Sequence, residues 1–168
     1  IDFGRWDKNF NQLKWLDGIG DILNKDGSIL IFNDWKNMGD ISRKLEIEGF
    51  EIKDLIRWIK PSPMPRNVER RYVTDFEFLI WATKKGSKWT FNNETNNYLR
   101  PEFEASVPIA EKRIHPTEKP EYLIQEILRV HSNAGDLVFD PFSGSGTISI
   151  VADKLDRYFI GSELDKKY

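Results

Sequence analysis

Asp140, Gly144, Gly146 and Glu163 are the residues whose types and spacing could do chemistry. The first three lie in the stretch Leu137–Thr147, LVFDPFSGSGT, and Glu163 stands 23 positions beyond Asp140. Two glycines so close together let the main chain turn tightly and bring a ligand against bare backbone. The apolar run Leu137-Val138-Phe139 before the turn has the composition of a strand buried on both faces. After it, Thr147, Ile148, Val151 and Leu155 share one face of a helix. Strand, glycine turn and helix together aim backbone N–H groups and a helix N-terminus at whatever sits over the turn.

Three ligands compete for such a turn. A P-loop needs Gly-Lys-Ser/Thr, and no lysine stands there. A dinucleotide turn reads G-x-G-x-x-G/A. Here Ser149 occupies the third glycine place, and Asp140 at the strand end would repel a pyrophosphate. S-adenosylmethionine has no phosphate, so its turn tolerates an acid that faces the methionyl ammonium. Glu163, at the end of the following strand, can accept both ribose hydroxyls. The plain alternative is a tight turn with a surface glutamate; Asp140, Phe142 and Glu163 in one register argue against it.

The elements that must position these residues follow from periodicity. Phe10, Leu13, Leu16, Ile19, Ile22 and Leu23 predict a helix over 10–23. Ser28–Phe32 reads as a buried strand, Ile41 and Leu45 as a short helix ended by Gly49, and Phe50–Ile59 as a second strand. Pro61, Pro63 and Pro65 cannot continue a ladder, so the chain leaves the sheet there. Phe76–Thr83 is a further strand. Residues 84–113 are polar, Asn-rich and aperiodic, with Trp89, Phe91, Tyr98 and Phe103 scattered through them, as in an insertion or lid. A helix from Glu121 to His131 carries Leu123, Ile127 and Val130 on one stripe, and Tyr158–Gly161 is the last strand. Strands alternating with helices predict one α/β domain with a mostly parallel sheet and helices on both faces.

Composition narrows the classes. The 168 residues contain no cysteine, which excludes disulfides and thiolate metal sites, and no metal is expected. No apolar run approaches the ~18 residues of a membrane span. The net charge is −2, yet Lys53–Arg71 holds six cations against two acids. A local basic loop beside a prolyl bend can contact phosphates while the rest of the surface stays acidic; charge alone allows a solvated loop equally well.

DPFSGSGT, preceded by His115-Pro116-Thr117-Glu118-Lys119-Pro120, resembles the β-group DNA amino-methyltransferases of restriction–modification systems, whose usual segment is HPTQKP. The resemblance extends to the N-terminal IDFGRWD, the SILIF strand, Trp58, Lys60, Pro63 and Pro65, the FEFLIWATK strand and RYFIGSE. It implies a Rossmann-like S-adenosylmethionine-dependent methyltransferase fold in circularly shifted order. Residues 1–83 would be the catalytic half, 84–113 a target-recognition insert and 114–168 the cofactor half. The implied reaction is methyl transfer from S-adenosylmethionine to N6 of adenine in double-stranded DNA, with the target base flipped out. N4 of cytosine is the nearest alternative, and a non-catalytic DNA-binding domain the next. The implied setting is the cytoplasm of a bacterium, or a phage-encoded protein acting there.

Residue by residue, the resemblance places Asp140, Phe142, Gly144, Ser145, Gly146 and Thr147 around the methionyl part and Glu163 on the ribose. His115, Pro116, Thr117, Lys119 and Pro120 close over the cofactor from the other side. It puts the basic loop beside the target base, with Arg66 and Asn67, then Arg70, Arg71 and Lys60, as DNA contacts. The insert is short, which leaves part of the recognition to that loop or to a second copy in a homodimer. One departure matters: the family's Asp-Pro-Pro-Tyr motif is absent. No catalytic side chain can therefore be named. The expectation is that the motif lies upstream of Ile1, that both ends are cuts in a longer protein, and that these residues alone are not competent.

Overall fold

The computed structural model describes residues 10–63, 67–95, 97–109, 115 and 117–165. They fall into two compact units. One is Gln12–Val107; the other joins Phe10 and Asn11 to the described residues from Pro108 onward.

The first unit is built on a four-stranded sheet in which β1 (Ser28–Asn33), β3 (Phe76–Lys84), β2 (Phe50–Ile59) and β4 (Glu102–Glu104) lie side by side in that order. β3 runs antiparallel to β1 and to β2, and β4 runs parallel to β2. Three strands thus point one way and β3 returns between two of them, as its direct connection from β2 requires. The apolar run of β3 is explained by burial on both faces. Ile80 and Ala82 enter a core with Ile31, Phe50, Leu16 and the Met38, Ile41 and Leu45 stripe of α2 (Met38–Ile47). Leu79, Trp81 and Thr83 alternate to the other face and are equally buried. There Trp81 stacks on Phe91 at 5.3 Å and meets Trp89 edge-on at 6.3 Å. The aperiodic stretch after β3 therefore contributes aromatic cover and the edge strand β4, which Trp58 fastens by donating its indole N–H to the Ala105 carbonyl at 2.8 Å.

The helix expected over 10–23 is broken. A 3-10 turn covers Lys14–Leu16 and a single α-turn, α1, covers Ile19–Ile22. Gly18 between them is left-handed at φ 71, and its N–H donates to the Glu48 carboxylate at 3.1 Å. Lys44 also bridges Asp17 and Glu48 at 2.5 and 2.6 Å. These partners hold Asp17-Gly18 out of helical geometry, so apolar spacing alone does not decide the segment.

In the second unit, β5 (Leu137–Asp140) pairs in parallel with β6 (Tyr158–Gly161). α3 (Glu121–His131) buries Leu123, Ile124, Ile127 and Leu128 and packs on α4 (Thr147–Lys154), which also contacts β6. Arg157 locks the end of α3 by donating to the Ser132 carbonyl at 2.8 Å and its hydroxyl at 3.2 Å. Burial of β5 on both faces does not hold in this unit: Leu137 and Phe139 are 57% and 46% exposed. Among the described residues β5 has β6 as its one partner strand, and Leu137 and Phe139 share a face with Tyr158 and Ile160 across the register.

No helix of the described residues is long and apolar enough to cross a membrane.

Candidate functional site

β5 delivers Asp140 to the start of the turn, and β6 delivers Ser162 and Glu163 alongside it. The link is a set of main-chain hydrogen bonds: Ser162 N–H to the Asp140 carbonyl at 3.0 Å and Ser143 N–H to the Ser162 carbonyl at 2.9 Å. Ser143 Oγ adds a bond to the Asp140 carbonyl at 3.0 Å, and Ser162 Oγ one to the Pro141 carbonyl at 2.9 Å. Gly144 and Gly146 take φ 50 and 75, which L side chains rarely adopt. Gly144 then sends its N–H to Glu163 Oε2 at 2.8 Å. The turn and the acid after the second strand, read separately from the sequence, are one hydrogen-bonded unit.

His115 is buried and closes the turn from the other side. A Cβ on Gly144 would touch its ring at 3.4 Å, and the φ of 50 at Gly144 is the stronger reason for glycine there. Thr117 braces the imidazole: its N–H donates to Nδ1 at 3.2 Å and its Oγ1 lies 3.0 Å from the same nitrogen. Lys119 Nζ donates to the Thr117 carbonyl at 3.1 Å. Lys119, Pro120 and Glu118 face Ser145 and Thr147 across a cleft of about 410 Å³ at the N-terminus of α4. Phe142 extends half-exposed from the turn, with its ring edge-to-face on Phe10 at 5.3 Å. Pro116 lies outside the described residues.

The charges differ in character. Burial raises the Asp140 carboxyl pKa, the Phe142 N–H at 3.0 Å opposes this, and the nearby Glu163 charge adds to the rise. For Glu163 burial is the largest single influence and also pushes up. The N–H groups of Asp165, Gly144 and Leu164, with His115 nearby, together outweigh it, and the pKa falls. A carboxylate keeps acceptor capacity beyond one bond per oxygen, so Glu163 can still receive ligand hydroxyls. The residue set fits S-adenosylmethionine: carboxylates for a cationic, phosphate-free ligand, on a glycine turn whose left-handed backbone leaves bare main chain beside them.

The expected DNA contacts lie in the other unit. Asn67, Arg70 and Arg71 are exposed on the connection from β2 to β3. Lys60 is drawn back instead: Nζ pairs with Glu77 at 2.7 Å and lies 4.9 Å over the Trp58 ring. Arg66 lies outside the described residues. Sequence reasoning missed Gly161. A Cβ there would overlap Ser143 Oγ and crowd the Phe159 ring, so this glycine allows the two strand ends to close on each other. Its one signal was its place just before Ser162-Glu163.

Comparison with known proteins gives the family and the fold. The N6/N4 methyltransferase family model, described as DNA methylase, matches residues 2–168. The type II methyltransferase M2.DpnII of Streptococcus pneumoniae is 34% identical over all of this chain and 69% of its own length. The crystal structure of the M1.HpyAVI-SAM complex superimposes with a TM-score of 0.87 at 44% identity, covering 96% of this chain and 80% of that one. PvuII DNA methyltransferase (cytosine-N4-specific) shares the fold with a TM-score of 0.74 at 19% identity, over 98% of this chain and 72% of that one. The fold is the Rossmann-like α/β fold of these methyltransferases, and the chain belongs to the DNA methylase family.

Proposed function

We propose that the protein binds S-adenosylmethionine at Asp140–Thr147 and Glu163 and transfers its methyl group to N6 of adenine in DNA, within a bacterial restriction–modification system. The observation that carries this is the bond from Gly144 N–H to Glu163, which fuses the glycine turn and the ribose acid into one cradle closed by His115. The bound cofactor supplies an electrophilic methyl on a sulfonium. The chain's own residues hold and orient it. Asp140 faces the methionyl ammonium, Glu163 receives the ribose hydroxyls, and Lys119 with Ser145 and Thr147 borders the methionyl end. Fixing the donor in one orientation converts a bimolecular encounter into a positioned one. Double-stranded DNA is held in part by Asn67, Arg70 and Arg71, with the target base out of the stack, since its amino group is out of reach of the donor inside a duplex. The cytoplasm, where the DNA is, is the place of action.

Calorimetric titration tests the ligand. S-adenosylmethionine should bind and NAD should not; NAD binding would overturn the assignment. With the family's Asp-Pro-Pro-Tyr segment supplied ahead of Ile1, transfer of a labelled methyl to DNA, followed by nucleoside analysis, should give N6-methyladenine. N4-methylcytosine as the product would replace the adenine reading.

A further inference from the structure

Among the described residues, the connection between β2 and β3 carries large apolar side chains that stand exposed. Its base is pinned, because Lys60 N–H donates to the Asp75 carbonyl at 2.6 Å and Lys60 Nζ turns back to Glu77. Further out, Asn67 takes φ 44, and its carbonyl accepts from both Arg70 N–H at 3.0 Å and Arg71 N–H at 3.1 Å. This defined turn presents apolar groups to water. Val68 is 80% exposed, Tyr72 100% and Val73 44%. Arg70 and Arg71 stand between Val68 and Tyr72 and are exposed as well.

Single exposed apolar residues are ordinary, but three around two guanidinium groups on one turn form a mixed surface. Residues 67–73 hold Arg70 and Arg71 against Glu69, a net charge of +1 in a chain whose net charge is −2. An anionic partner that also offers flat apolar faces matches that surface, and duplex DNA has both: phosphates outside and stacked bases within. Proteins that distort a duplex insert an apolar wedge between bases, flanked by basic side chains on the backbone.

Resting on the proposed function, we propose that Tyr72 is a wedge residue. It enters the base stack at the gap left by the extruded target base, while Arg70 and Arg71 hold the neighbouring phosphates. The ring is wholly exposed before binding, so it can enter without breaking a packing contact of its own. An aromatic side chain can bury roughly 150–250 Å², and stacking on a base tolerates any sequence because every base has a π-face. Tyr72 is a positioning residue: it keeps the vacated stack from closing and touches no reacting atom.

The test uses the chain with two short duplexes, identical except that one carries an abasic site. A wedge that fills a vacated position prefers the duplex in which the gap already exists. Wild-type protein should bind the abasic duplex about tenfold more tightly, the scale of one base–aromatic stack. Tyr72→Ala should bring the ratio to about one while keeping the salt dependence set by the arginines, and Tyr72→Phe should restore the preference. An unchanged ratio in Tyr72→Ala, or equal wild-type affinity for both duplexes, overturns the wedge and leaves DNA binding standing. Wild-type protein that binds neither duplex while still binding S-adenosylmethionine overturns the wedge together with the DNA-binding reading beneath it.

Discussion

The two units are held together by different physics. In Gln12–Val107 the central strand β3 is buried on both faces, with Ile80 and Ala82 against α2 and Leu79 and Trp81 on the other side. In the second unit, the glycine turn between two half-exposed strands is fixed by Ser143, Ser162, Asp140 and Glu163 through hydrogen bonds. Apolar packing is indifferent to protons and relaxes around small changes. A polar net with buried ionisable neighbours responds to both. The proposed cofactor turn lies where specific atoms must point in specific directions, and the packed sheet of the first unit rests on apolar burial instead.

The largest expected difference is in acid. Both histidines of the chain, His115 and His131, belong to the second unit. Burial in α3 lowers the His131 pKa from 6.5 to about 4. Between these values the unfolded chain takes up a proton that the folded one refuses. The stabilisation is therefore complete above pH 6.5 and is lost as pH falls toward about 4, on the order of 3 kcal/mol in all. Hydrogen exchange corrected for intrinsic rates should show α3 loosening across that window more than β3, and His131→Gln should remove the difference. An equal response in both units would end the comparison.

Next comes Gly161→Val. The added atoms would overlap Ser143 Oγ and the Phe159 ring, an overpacking cost of about 1–3 kcal/mol. Thermal unfolding should shift down by several degrees. Val68→Ala on the exposed connection should leave the melting temperature in place. A smaller effect is on ligand affinity: Glu163→Ala should weaken S-adenosylmethionine binding about tenfold, as expected for lost charge-assisted hydrogen bonds, and leave DNA affinity alone. The reciprocal experiment is the smallest in energy. Arg70→Ala with Arg71→Ala should reduce the slope of log affinity for DNA against log salt by about two and leave cofactor titration unchanged. An unchanged slope would remove both arginines from the phosphate contacts.

How much of this was legible follows from how each feature is encoded. β2, α3 and β5 lie where periodicity put them, because one apolar face or run decides each. The glycine turn was readable because glycines and acids at fixed spacing carry backbone requirements in the residue types themselves. Residues 10–23 misled because the deciding partners, Lys44 and Glu48, are distant in sequence. Lys60 looked like its neighbouring cations, and only Glu77, 17 positions away, shows that it is held inward. Gly161 was silent because its need comes from Ser143 in the turn after β5. Local chemistry was visible in the chain, and pairings across elements were not.

The stack of Trp81 on Phe91, with Trp89 edge-on and Lys53 Nζ 3.7 Å above the Trp89 ring, has an optical consequence. Two indoles held 6.3 Å apart at 77° couple their electronic transitions. They should produce a near-ultraviolet circular dichroism signal that freely rotating rings would not. Trp89 belongs to the polar stretch after β3 and Trp81 to the sheet. That band would fade when the stretch lifts away even if every strand stayed intact, so the protein carries its own chromophore pair for following the movement of this segment in solution.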